Sequence, residues 1–150
     1  MPRLNMILTA AVATLLVVCT AAASAAEVVV IVNEANPAAS LTAKQVRAHF
    51  LKSPATWADG SRVRPVDRAA SDPDRAAFLS KVLDMSSAEL ERYWISRQYS
   101  TAEEPPPKAR DDAETIQLVS SLEGGIGFVS RKALDGAGGA KIKAVLTITY

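Results

Sequence analysis

The stretch LTAKQVRAHFLKSPATWADGSRVRPVDR, Leu41 to Arg68, decides the fold class of this chain. Thr42 and Gln45 stand at capping-box spacing, where each side chain satisfies a backbone N–H that the helix start leaves unpaired. Ala43, Val46 and Phe50 then fall on one face of a helix expected to end near Leu51. Pro54, Asp59 and Gly60 mark turns around Trp57. Arg62 to Val66 alternates charge with valine, as a half-exposed strand does. Pro65, which has no N–H to donate, places that strand at a sheet edge or near its own end. Helix, turn and strand follow in order, and the strand delivers Arg68.

Working outward, the alternation of strands and helices continues. Upstream, Glu27 to Val32 (EVVVIV) is an unbroken β-branched run suited to a strand buried on both faces, and Asn36-Pro37 breaks the chain after it. Downstream, Pro73 to about Met85 reads as a helix with Phe78, Leu79, Val82 and Leu83 on its inner face, opened by Ser71, Asp72 and Pro73. Ser86 and Glu89 repeat the capping-box spacing for a third helix, with Leu90, Tyr93 and Trp94 turned inward. Ser100 to Arg110, with Pro105-Pro106-Pro107, reads as a loop. Asp111 or Asp112 caps a fourth helix carrying Ile116 and Val119, stopped by Gly124-Gly125. Ile126 to Val129 and Lys143 to Thr149 supply two further strands, the last approached through Gly136 to Gly139. This order gives an α/β layered domain with a largely parallel or mixed sheet flanked by helices.

The N-terminus reads as an address. Arg3, the apolar run Ile7 to Ala23 and the small-residue pattern Ala23-Ser24-Ala25 make residues 1–25 a signal peptide and 26–150 the domain. A membrane anchor is the alternative that length allows, and the strand-like run directly after Ala26 favours cleavage. The expected location is therefore periplasmic or secreted, with no stable membrane insertion once the signal is removed. Cys19, the only cysteine, lies within that run, so the domain has neither a disulfide nor a thiol nucleophile. Without Arg3, sixteen basic side chains balance sixteen acidic ones, which argues against general affinity for nucleic acid.

Four features share one order along the chain: the Leu41–Arg68 block, the paired helices after Arg68, the Tyr93-Trp94 position and GGIGFVS at 124 to 130. This order resembles the phosphate-type substrate-binding proteins of bacterial ABC transporters, over about Val28 to Lys132. The resemblance implies a periplasmic-binding-protein-like domain of type 2. It also implies an oxyanion held by the arginine after the strand and by the start of the next helix. In that family the arginine precedes an acidic residue and a Ser-Gly-Thr-like turn. Here Ala69 to Arg75 reads AASDPDR: glycine is missing, Pro73 removes an amide donor, and Asp72 and Asp74 add negative charge. Family members are also two-lobed. A domain starting at VVVIVN leaves no room for the second lobe's N-terminal loop, so a site here is expected to be shallow or completed by a partner.

The candidate ligand-binding residues are Arg68, whose planar donor fork suits an oxyanion, and Ser71 beside the helix start, with Asn33 and Arg75 as lesser candidates. Against this stand structural roles: Arg68 pairing with Asp67, Asp72 or Asp74, Ser71 as a helix cap and Asn33 as a turn former. No catalytic residue, metal site or cofactor is read. His49 is the sole histidine, and no Gly-x-Ser-x-Gly elbow is present. Two functions follow. One is a solute-binding-protein-like module holding phosphate, sulfate or another small oxyanion weakly. The other is an interaction protein that keeps the fold without the ligand and docks on an envelope partner, a transporter component or a copy of itself.

Overall fold

The computed structural model describes residues 25–150, so the signal-peptide assignment lies outside the described residues. The core is a four-stranded sheet in the order β2-β5-β1-β6, with β1 Glu27–Asn33, β2 Arg64–Pro65, β5 Gly125–Ser130 and β6 Ile142–Thr149. β1 runs antiparallel to both β5 and β6, while β2 is parallel to β5, so the sheet is mixed. β1 is central, and Val28 to Val32 are all fully buried. Val28, Val30 and Val32 face one core cluster and Val29 and Ile31 the other. Burial on both faces is why that segment carries no polar alternation.

The first cluster lies under α1 Ala43–Phe50, α2 Pro73–Phe78 and α3 Ser87–Thr101. Its centre is aromatic: Phe78 stacks on Phe128 at 4.2 Å, and Phe50 meets Phe78 at 4.6 Å. The second cluster packs α4 Asp112–Ser121 and the short α5 Arg131–Asp135 against the opposite face through Val119, Ile116 and Leu134. Both expected capping boxes form, at Thr42/Gln45 and at Ser86/Glu89.

Several expectations need correction. The strand expected over 62–66 is divided. Arg64 and Val66 donate to Gly124 and Ile126, after which Asp67 turns away and donates to the Pro107 carbonyl. Asp67–Arg68 thereby becomes β3, paired in parallel with β4 Lys108–Ala109 inside the segment expected to be loop. The helix expected from Pro73 to Met85 is α-helical only to Phe78. It continues as a π-helical turn, Leu79–Leu83, ended by Asp84 in the left-handed region. All four of its apolar residues, Phe78, Leu79, Val82 and Leu83, are buried as their spacing requires. Ala43 is exposed, leaving Val46 and Phe50 as the buried face of α1. Trp57 plugs the turn between α1 and β2, where it is buried and its Nε1–H donates to the Gly124 carbonyl at 3.1 Å. β2, with Pro65, is a sheet edge.

Candidate functional site

Arg68 ends β3 with its side chain only 5% exposed. One Nη donates to the Asp72 carboxylate and the other to Asp112. Each carboxylate is engaged a second time. Asp72 caps α2 by accepting from the Asp74 N–H at 2.9 Å, and Asp112 accepts from the Ser130 hydroxyl at 2.7 Å and its N–H at 3.2 Å. Burial alone would raise the Asp112 carboxyl, but the hydrogen bonds from Arg68 and Ser130 outweigh it and hold the group below the ordinary carboxylate range. Burial likewise acts to lower the Arg68 guanidinium, and the two aspartates outweigh it and raise it. Arg68, Asp72 and Asp112 together carry one net negative charge. An oxyanion approaching Arg68 meets carboxylate oxygens where its own would bind.

The other candidates are placed elsewhere. Arg75 is buried and donates through Nε and Nη2 to both oxygens of Asp67, at 2.9 and 3.0 Å, and through Nη1 to the Ser87 hydroxyl at 3.0 Å. Asp67 also accepts from the Arg68 N–H at 2.7 Å, so it pairs with the Arg75 side chain rather than that of Arg68. Ser71 is exposed in the turn before α2, and the cap is Asp72. Asn33 closes the end of α4, its Nδ2 donating to the Val119 and Ser120 carbonyls at 3.0 Å, while Oδ1 accepts from the Ala35 N–H. Asp74 accepts a hydrogen bond from the Tyr150 hydroxyl, which pushes that phenol up to about 12. The sequence therefore identified Arg68 and one of its partners, Asp72, but not Asp112 or Ser130. Both stand over forty residues away, and the only local signal was the second aspartate of Asp111-Asp112, left free once Asp111 caps α4.

His49 lies beside a cleft of about 580 Å³ that includes Ser40 but no carboxylate. Its ring packs on Trp57 at 4.1 Å, and burial lowers its pKa. A histidine whose folded pKa is depressed contributes its full stability above the unfolded value of about 6.5, and the contribution falls as pH drops below it. Urea midpoints measured from pH 7.5 to 5 are expected to fall, and His49→Gln is expected to flatten that slope. An unchanged slope would refute the assignment.

Three solved structures share this architecture. An ABC-type phosphate transport receptor from Vibrio cholerae superposes with a TM-score of 0.61 at 21% identity, over 80% of this chain and 45% of that one. A putative phosphate ABC transporter substrate-binding protein with bound phosphate, from Clostridium perfringens, gives 0.63 at 19% identity over 81% and 45%. PstS from Borrelia burgdorferi gives 0.62 at 10% over 81% and 47%. The fold is that of the phosphate-type substrate-binding proteins. The chain spans about half the length of these neighbours, 45% to 47%. No protein-family model and no curated protein matches the sequence. The match to the phosphate-receptor fold covers 80% to 81% of this chain, in keeping with the order read outward from Leu41 to Arg68. Among the described residues, no helix is long and apolar enough to cross a membrane.

Proposed function

We propose that this protein is a non-enzymatic envelope module that keeps the phosphate-receptor fold, closes the oxyanion position from within and acts through contact with another protein. The observation that carries the reading is the capture of Arg68 by Asp72 and Asp112. Weak oxyanion binding, the other reading of the sequence, requires an anion to displace two carboxylates, one of them also held by Ser130. An oxyanion at Arg75 would meet the Asp67 carboxylate, which already neutralises that guanidinium through a two-point ion pair. Export through the N-terminal signal supports an envelope location and belongs to the same proposal.

Calorimetry on the purified protein with phosphate and with sulfate tests this. No heat of binding is expected from either anion. A phosphate heat that disappears in Arg68→Ala would overturn the closed-site reading and put weak oxyanion binding in its place.

A further inference from the structure

A second cleft, of about 520 Å³, lies between α3 and the triple-proline segment. Leu90, Trp94 and Ile95 line one side and Pro105 and Pro106 the other, with Arg75 also reaching it. The volume falls within the range of ligand pockets, and apolar walls with a few convergent polar groups are what such pockets present. Arg75 is 4% exposed, and three of the five N–H groups of its guanidinium are engaged, two by Asp67 and one by Ser87. By count, two N–H groups of the guanidinium remain beyond these three bonds, one on each Nη. Asp67 already neutralises Arg75, and Lys108 and Glu91 contribute opposite signs to the lining, so the cleft carries no net charge to attract an ion.

The apolar surface does not stop at the cleft. Ile95 is 49% exposed and Tyr99, one turn further along α3, is 90% exposed. They are two of the three large apolar side chains left exposed among the described residues. One helical turn rises about 5.4 Å. An extended chain advances about 3.3 Å per residue, so three or four residues would cover the cleft and reach Tyr99. A single small molecule would fill the cleft and leave Tyr99 bare. Tyrosine at a rim beside a buried tryptophan is the composition of protein-contact surfaces.

We infer that the cleft between α3 and Pro105-Pro106, extended by Ile95 and Tyr99, docks an uncharged extended segment of a partner protein. An apolar side chain of that segment enters beside Trp94, and a backbone carbonyl accepts from Arg75. This inference rests on the proposed role in protein contact and assigns its surface.

The test is an NMR titration of the ¹⁵N-labelled protein with acetyl-Ala-Leu-Ala-Leu-amide, with acetyl-leucinamide as a single-residue probe and acetyl-Ala-Ser-Ala-Ser-amide as control. The leucine peptide is expected to shift the Trp94 indole and the Ile95 and Tyr99 amides saturably, and to bind about tenfold tighter than acetyl-leucinamide. The serine peptide is expected to shift nothing. Tyr99→Ala should remove the peptide's advantage over the single residue, and Ile95→Asp should abolish both. Both positions face solvent, so an unchanged spectrum elsewhere certifies folding. Absence of saturable shifts, equal affinity for peptide and single residue, or shifts away from α3 and 105–108 would overturn the inference. Phosphate calorimetry reports on the closed oxyanion site separately, so failure of either idea is visible without the other.

Discussion

Arg75→Met is expected to destabilise the protein by about 3–5 kcal/mol, the usual cost of removing one partner of a buried ion pair. The Asp67 and Arg75 side chains are 10% and 5% exposed, and Arg75 supplies both hydrogen bonds that Asp67 receives from a side chain. Without Arg75, the carboxylate keeps only the Arg68 N–H in a site that water reaches poorly. Asp67→Asn combined with Arg75→Met should recover part of the loss, because the amide can still accept from Arg68 without a buried charge. Urea unfolding of the two variants provides the comparison. A single variant within about 1 kcal/mol of wild type would show that the pair contributes little, as exposed pairs do.

The second large effect is expected at Gly124. A Cβ built there would lie 1.7 Å from the Arg62 carbonyl oxygen, a backbone atom that cannot swing aside as a side chain would. The Gly124 carbonyl accepts from Arg64 N–H at 2.8 Å and from Trp57 Nε1 at 3.1 Å, so any retreat strains the β2–β5 pairing and the Trp57 plug together. Gly124→Ala should therefore cost about 3 kcal/mol or more, at or beyond the upper end of overpacking. The melting temperature should fall by roughly 10 °C, with a changed Trp57 emission. Gly138→Ala is the control: an added Cβ there meets nothing within 4 Å, so its melting temperature should match wild type. Equal melting temperatures for both variants would refute the close approach.

These two expectations show how differently the fold and the site were encoded. Elements were legible where the signal is local. The Thr42/Gln45 and Ser86/Glu89 boxes form because their partners lie three residues apart, within one helical turn. The EVVVIV run marked the central strand because burial on both faces removes polar residues from it. Pro65 marked an edge because it has no backbone N–H to donate to a neighbouring strand. Where the reading failed, the determinant was a distant backbone partner. β3 leaves the line of β2 because Pro107 and Ala109 receive it, and nothing in Arg62 to Arg68 announces them.

The candidate site followed the same division. By itself the sequence determined that Arg68 would sit beside a helix start crowded with aspartates, and that the chain would build the layered α/β fold shared with phosphate receptors. Only the tertiary structure decided which carboxylates reach the guanidinium. Asp112 arrives from α4, forty-four residues away, and Ser130 from the end of β5 fixes it there. Arg75, seven residues from Arg68, is drawn to Asp67 and Ser87 instead. The physical reason is range. Capping, periodicity and turn chemistry act over a few residues and are written in neighbouring letters. The pairing of buried charges depends on which side chains the packed layers bring within hydrogen-bond distance, and that is fixed only when the layers assemble.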